Sequence, residues 1–479
     1  MALIILLPAI ACWAVLARGS MRSALLNVYL PVLLLLSQSY VLRLQHLPPL
    51  TFADTAILPL GLAMILTGMR RWRFSWMDLF VLLFAALAGL SEGLSNQLAN
   101  GDWMNLFSAK NATSPTLNTN IADGMLMFIA NVMEVVLPYM AGKLLIEGAG
   151  GAGDDMRRKF ASRIVALLAI VSAISLRDFL FGGSIWQQMG GRLFPTQFGG
   201  SPPQMRWGFG RIQGPFSHAI LAGMVFLMGL IYCLWLRSAY PGWGKRKVIS
   251  GLPVTVRGLM LTAVAGGLIM TQSRGPVIGV ILALMFAGLT RMLSVGKAVL
   301  AFLVLLAAFS TVAYEFGNRY TDKDIMQATS EEQRNAIYRR LLLVNYAPMV
   351  MERPAFGWGI TTFPAVMGQR SIDNEYLFLA ITEGFAGMGV YLAIVSGSAI
   401  RLARMLTRPL RHEDRLLVFA HLSVLIGLMT TLTTVYMGQQ VVMMFFLFTG
   451  WVQAMRPAYA KAGVVNVLTP PQQFRRVLV

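Results

Sequence analysis

The chain has 479 residues, 56% of them hydrophobic and only 13% charged, with a mean hydropathy of +0.62. No water-soluble domain of this size needs such a composition, so a bilayer is the solvent. The formal net charge of +19 would suit a nucleic-acid partner, but the basic residues crowd into short loops between apolar runs, which orients a membrane protein and excludes nucleic acid as the reading.

Segments of roughly 17–25 apolar residues recur along the whole length, the spacing a ~30 Å hydrocarbon core demands of helices. A closed barrel would show short alternating strands instead. The expectation is therefore an all-α polytopic membrane protein. In chain order the spans fall near 2–17, 24–41, 54–69, 78–95, 121–146, 160–178, 216–236, 257–272, 275–290, 297–314, 374–398, 415–433 and 437–455. The first, Met1 to Leu16, lacks a basic leader and reads as a retained span. Cys12 and Cys233 lie inside apolar runs, and neither suggests a disulfide, a metal cluster or redox chemistry.

The cytoplasmic loops are marked by Arg70, Arg71 and Arg73, by Arg157, Arg158 and Lys159, by Lys245, Arg246 and Lys247, and by Arg401, Arg404, Arg408, Arg411 and Arg415. With those loops inside, three long connections lie outside: Asn96–Asn120, Phe179–Pro215 and Glu315–Asp373. Connections of that length are functional or disordered. The first is rich in Asn, Ser and Thr. The second is rich in Gly, Pro and aromatic residues and predicts irregular backbone packed at the interface. In the third, Ser330-Glu331-Glu332-Gln333 predicts a helix start, and Ile337, Leu341, Val344 and Met349 predict an amphipathic face for Ser330–Met351 at the membrane surface. The Gly-rich stretch 148–153 reads as a cytoplasmic linker. The expected organisation is transmembrane helices over 1–178, a loop over 179–215, transmembrane helices over 216–314, a large loop over 315–373, transmembrane helices over 374–455 and a cytoplasmic tail over 456–479.

The positive-inside bias leaves a set of outer arginines unexplained. Arg177 stands just ahead of the second outer loop and Arg192, Arg206 and Arg211 fall in it; Arg319, Lys323, Arg334, Arg339, Arg340, Arg353 and Arg370 fall in the third. Arginine's planar fork suits bidentate recognition of phosphate or carboxylate; a solvated or headgroup-facing surface is the plain alternative for most of them singly. Arg274 is harder to dismiss, because Thr271-Gln272-Ser273-Arg274-Gly275-Pro276 interrupts an otherwise continuous apolar stretch from Leu259 to Leu289. An ionisable residue there is costly without a partner or a polar cavity.

The segment Thr271-Gln272-Ser273-Arg274-Gly275 between two spans resembles the signature of the O-antigen ligase and O-antigen polymerase superfamily. Arg211-Ile212-Gln213-Gly214-Pro215-Phe216 resembles that family's Arg-x-x-Gly-x-Phe motif ahead of a span. Arg353-Pro354-Ala355-Phe356-Gly357-Trp358-Gly359 is similar to the motif late in its large periplasmic loop, and Asp373-Asn374 followed, after nine intervening residues, by Gly384-x-x-Gly387 has the spacing of the ligase motif His-Asn-x9-Gly-x-x-Gly. These motifs run in order over residues ~205–390. One departure matters: Asp373 stands where the ligase motif has His, and an aspartate keeps the proton-acceptor role but not the cationic one. That favours a polymerase or exopolysaccharide assembly enzyme of the superfamily over a ligase.

The resemblance implies a GT-C-like membrane glycosyltransferase of about 12–13 transmembrane helices in the bacterial inner membrane, with its active site on the periplasmic face. It would act on an undecaprenyl-pyrophosphate-linked glycan donor and a glycan or lipid-linked acceptor, with chain-length regulators or other polysaccharide assembly proteins as partners and no cofactor or metal. Carried onto this sequence, Arg274, Arg211 and Asp373 become the candidate catalytic residues. Arg339, Arg340, Arg353, Asn374 and Ser273 become candidate pyrophosphate or glycan ligands, and His218 and Glu352 accessory groups. The Asp322-Lys323-Asp324 triplet has Asp-x-Asp spacing, but its lysine makes it a poor cation site. Glu92, Glu134 and Glu383 in or near predicted spans keep a flippase or secondary transporter as the competing class.

Overall fold

The computed structural model describes residues 2–68, 72–99, 121–147, 153–194, 204–322, 327–369 and 371–456. The first outer loop beyond Ala99, the Gly-rich linker over 148–152, Arg70, Arg71, Lys323, Asp324, Arg370 and the tail after Arg456 lie outside the described residues.

Each apolar run forms a helix. They are α1 (Leu3–Arg18), α2 (Met21–Leu35), α3 (Phe52–Gly68), α4 (Trp76–Ala99), α5 (Ile121–Ile146) and α6 (Gly153–Phe181). A short α7 (Ile185–Leu193) precedes α8 (Ala219–Ala239), α9 (Val256–Met270), α10 (Arg274–Met292) and α11 (Val295–Thr321). Then follow α12 (Glu331–Glu352), α13 (Glu375–Thr382), α14 (Gly384–Leu406), α15 (His412–Leu432) and α16 (Gln439–Ala454). Six of these, α4, α5, α6, α8, α14 and α15, are long and apolar enough to cross a bilayer, and α1, α2, α3, α9, α10 and α11 contain shorter apolar stretches. The chain is an all-α polytopic membrane protein.

The starts of these helices follow local chemistry. Thr51 and Asp54 form a reciprocal capping box at α3, while the hydroxyls of Thr255 and Ser330 accept the third backbone N–H of α9 and α12. Helix α8 is the axis of the bundle, with nearly every side chain buried against α6, α9, α10 and α15. Close approach elsewhere needs glycine. A Cβ on Gly142 of α5 would sit 2.0 Å from the Leu447 carbonyl of α16, and one on Gly450 of α16 would sit 2.0 Å from the Tyr139 carbonyl of α5. Small residues that let backbones touch are the membrane substitute for a hydrophobic driving force. Leu300, Leu303 and Val304 of α11 are exposed, as lipid-facing side chains are.

At one end of the bundle, charges pair within protein: Arg157 bridges Glu147 and Asp414 at 2.5 and 2.8 Å, and Lys143 meets Asp78 at 2.6 Å. The other end carries the second and third long connections, and the described part of the second is more regular than the sequence suggests. The second contains α7 and a hairpin, β1 (Met205–Arg206) against β2 (Phe209–Gly210). Its two-residue turn places both Trp207 and Gly208 at positive φ, the twist that fits a tight hairpin.

Two sequence expectations need correction here. The expected span at 374–398 is broken between α13 and α14, because Glu383 leaves the helical region and Gly384 is left-handed at φ +68°. The face of α12 is also shifted. Ile337 is buried as expected, but the seam continues through Leu342, Tyr346 and Val350 against Trp358, Ile372 and Ile381, while Val344 is exposed. Helix α12 therefore packs on a small protein core through a face offset from the predicted stripe.

Candidate functional site

The turn between α9 and α10 is built by arginines from the preceding loop. Thr271 closes α9, Gln272 is left-handed at φ +49°, and Ser273 is extended at the head of α10. Such a turn leaves carbonyls pointing outward, and they must be satisfied. Arg211 donates Nε to the Thr271 carbonyl at 3.0 Å, Nη2 to Ser273 Oγ at 2.9 Å and Nη1 to Gln204 Oε1 at 2.7 Å. Arg206 donates to the Gln272 carbonyl at 2.7 Å, and the backbone N–H of Ile212 to that of Met270 at 3.2 Å. The first two family-like motifs are thus one hydrogen-bonded unit.

This unit floors a cavity of about 720 Å³ at the long-loop end of the bundle, roofed by α12. Five guanidinium groups face it: Arg206 and Arg211 from the second loop, Arg274 from the first turn of α10, and Arg334 and Arg339 from α12. Asp373 and His218 line it too, with Glu331 and Glu332 at the head of α12. Arg274 extends from the positive end of the α10 dipole and pairs with Glu332 at 3.1 Å, an ion pair more than half exposed on the arginine side. Among the described lining residues cations outnumber anions, a balance that suits an anion, and forked donors suit phosphate oxygens.

The titratable groups are tuned by this setting. Burial holds the Asp373 carboxyl above the usual aspartate range, even though Ser371 donates to its Oδ1 at 2.7 Å and the Arg339 and Arg211 cations favour its charged form. Burial, helped by the Arg206 and Arg339 charges, pushes Arg211 down to about 10, which still leaves it a cation at neutral pH. Burial, then the Arg211 and Arg339 charges, push His218 down to about 4, so its ring is neutral. Because His218 Nδ1 accepts the backbone N–H of Ile220 at 3.2 Å, the proton of the neutral ring sits on Nε2. His218 is therefore left with a hydrogen-bond donor at Nε2, and Asp373 joins Glu331 and Glu332 as the carboxylates lining the cavity that can accept a proton.

Of the residues expected from sequence, Arg211, Arg274, Arg339, Asp373 and His218 come together, and the rest do not. Ser273 is buried; it donates to the Thr271 carbonyl and accepts from Arg211. Asn374 caps α13 by accepting the N–H of Leu377 at 3.1 Å. Arg340 turns to the Thr321 carbonyl and Asp322 at the end of α11. Arg353 is buried with its guanidinium 3.8 Å over the Trp358 ring, and neither it nor Glu352 lines the cavity. Sequence reasoning weighed Arg206 and Arg334 only among the outer arginines. Thr434 and Tyr320, which also line the site, carry no signal in any motif.

The late-loop motif has a mechanical role. Trp358 and Gly359 donate to the Ile381 and Thr382 carbonyls at 2.8 and 2.9 Å, and Phe385 and Ala386 donate back to Pro354 and Ala355 at 2.7 and 3.1 Å. A Cβ on Gly384 would lie 2.4 Å from the Ala355 carbonyl, and one on Gly357 would lie 2.6 Å from Gly384 N. Residues 354–359 thus clamp the α13–α14 break backbone to backbone, which fixes where Asp373 and α12 stand.

Residues 258–392, from α9 to the first half of α14, match the family model described as O-antigen ligase. This segment is a domain of the O-antigen ligase/polymerase superfamily. No curated protein matches the chain. The matched segment holds Arg274, Arg339 and Asp373, whereas Arg211 and His218 lie ahead of it. Together with the apolar helices, this match supports a multi-pass membrane enzyme of the O-antigen ligase/polymerase type that works in glycosyl transfer, and polysaccharide and lipopolysaccharide biosynthesis fit the family.

Proposed function

We propose that this enzyme polymerises or transfers glycan from an undecaprenyl-pyrophosphate-linked donor on the periplasmic face of the bacterial inner membrane. The observation that carries the reading is the cavity that five arginines and Asp373 line together, with Arg339 and Arg211 close enough to act on the Asp373 carboxyl. The pyrophosphate would lie among Arg211, Arg274 and Arg339. The acceptor hydroxyl gives its proton to Asp373, its oxygen attacks the anomeric carbon from the face opposite the pyrophosphate, and the breaking C–O bond leaves its electron pair on undecaprenyl pyrophosphate. One in-line displacement inverts the anomeric centre. Charge develops on the leaving oxygen, where preorganised cations contribute most, so no divalent ion is required. The positive-inside distribution supports the periplasmic placement.

Aspartate at position 373 favours the polymerase reading, in which a second lipid-linked glycan is the acceptor and chain-length regulators are partners. The description of the matched family favours the ligase reading, transfer to lipid A-core or another terminal acceptor. A deletion strain separates them: single repeats without long polymer mean a polymerase, and long polymer unattached to its terminal acceptor means a ligase. Purified protein with lipid-linked donor is expected to form glycosidic bonds in EDTA; activity lost in EDTA and restored by Mg²⁺ overturns the metal-free mechanism.

A further inference from the structure

A second cavity, of about 340 Å³, stands beside the cationic one and differs from it in chemistry. Three short stretches form the shared wall, each contributing to both sides. His218, Asp373 and Thr434 face the cationic cavity; Ser217, Glu375 and Tyr436 face the second. Among the described residues no lysine or arginine lines the second cavity, and three carboxylates do: Glu134 of α5, Glu375 of α13 and Glu383 at the α13–α14 break. Gln439 donates to Glu134 at 2.7 Å, and Glu375 accepts the N–H of Met437 at 2.6 Å. Glu383 Oε2 is buried with no hydrogen-bond partner. A buried acceptor left in that state is costly unless something donates to it.

Among the described residues, no three carboxylate, histidine or cysteine side chains converge closely enough to hold a metal ion. These carboxylates are therefore spread around a space. Between them stand aromatic faces, Phe378 and Tyr436 with ring centres 5.6 Å apart, and Phe84. Dispersed acceptors satisfy several hydroxyl donors at once, and aromatic rings cover the apolar C–H face of a pyranose. The volume lies at the low end of small-ligand sites, roughly 300–1,000 Å³. The absence of cations from the lining makes the cavity unsuited to phosphate.

We propose that this acidic, aromatic-lined cavity binds the terminal sugar of the glycan acceptor and delivers its hydroxyl across the shared wall to Asp373. The assignment of the acceptor rests on the reading of the cationic cavity as the pyrophosphate site; the sugar site itself stands on the geometry above. Glu134, Glu383 and Tyr436 are positioning residues in this scheme.

The test uses full-length protein in detergent and saturation-transfer NMR with the methyl glycosides of glucose, N-acetylglucosamine and glucosamine. At least one is expected to receive saturation, unchanged by added inorganic pyrophosphate and unchanged in Arg274→Ala. The signal is expected to weaken about tenfold, the loss of one good contact, in Glu383→Gln and in Tyr436→Ala, with the melting temperature of each variant in detergent read alongside to separate loss of the site from loss of the fold. Three results overturn the proposal: no transfer to any glycoside, transfer displaced by pyrophosphate, or transfer that survives both variants. Pyrophosphate binding to wild type and to Arg274→Ala is read separately, so failure of the cationic site and failure of the sugar site give different results.

Discussion

Arg211 reaches Ser273 Oγ at 2.9 Å across 62 residues of sequence, and the same guanidinium holds the Thr271 carbonyl at 3.0 Å. One half-buried cation thus both ties the Thr271–Arg274 turn to the second loop and lines the cavity that the turn shapes. Arg211→Lys keeps the charge but cannot make both bonds, since a point charge does not replace a fork. Transfer by purified Arg211→Lys is expected to fall by ~10²–10³, the cost typical of one lost electrostatic donor, together with a lower unfolding temperature in detergent. A near-normal rate would mean the turn does not depend on this arginine.

Arg274 differs because it is exposed and its partner, Glu332, is on α12. Surface ion pairs are worth only about 0–1 kcal/mol, so Arg274→Ala is expected to leave stability unchanged while reducing transfer by ~10²–10³. Glu332→Gln removes the same ion pair and is expected to stay within a fewfold of wild type. Equal losses in the two variants would show that the pair, and not the guanidinium, is what matters.

Asp373 must be unprotonated to accept the acceptor's proton. Its pKa is raised by burial, so the carboxyl stays protonated to higher pH than an ordinary aspartate at ~3.9. Activity should therefore climb as pH rises through that elevated value, giving an acidic limb in the rate profile. Asp373→Asn is expected to lose most activity and the limb with it, and Asp373→His to retain some. An unchanged profile in Asp373→Asn would remove the proposed base.

The clamp around Gly384 predicts a purely mechanical defect. Alanine there takes on a left-handed backbone and a contact of 2.4 Å with the Ala355 carbonyl, strain on the order of 1–3 kcal/mol for the backbone alone. Gly384→Ala is expected to lower the melting temperature and the activity together. Gly191→Ala, where an added Cβ meets nothing within 4 Å, is the control and should change neither.

The sequence by itself determined the class of molecule and the shape of its parts. Apolar runs long enough for a bilayer can hydrogen-bond their backbones only as helices, so the apolar helices follow from composition and spacing, and Ser330 announces α12 through its cap; α7 and the break between α13 and α14 do not. The resemblance over residues ~205–390 was legible because its motifs interrupt those runs. What only the tertiary structure decided is which polar residues face one another. Arg339 and Arg353 look alike in sequence, both arginines in the same polar connection, yet one lines the cavity and the other is buried under Trp358. Ser273 sits beside Arg274 but points inward to Arg211. The adjacent acidic cavity drew Glu134, Glu375 and Glu383 from elements far apart in the chain. Helix formation is set by contacts a few residues apart, whereas the direction of a side chain on a turn depends on partners sixty or more residues away, and no periodicity encodes those.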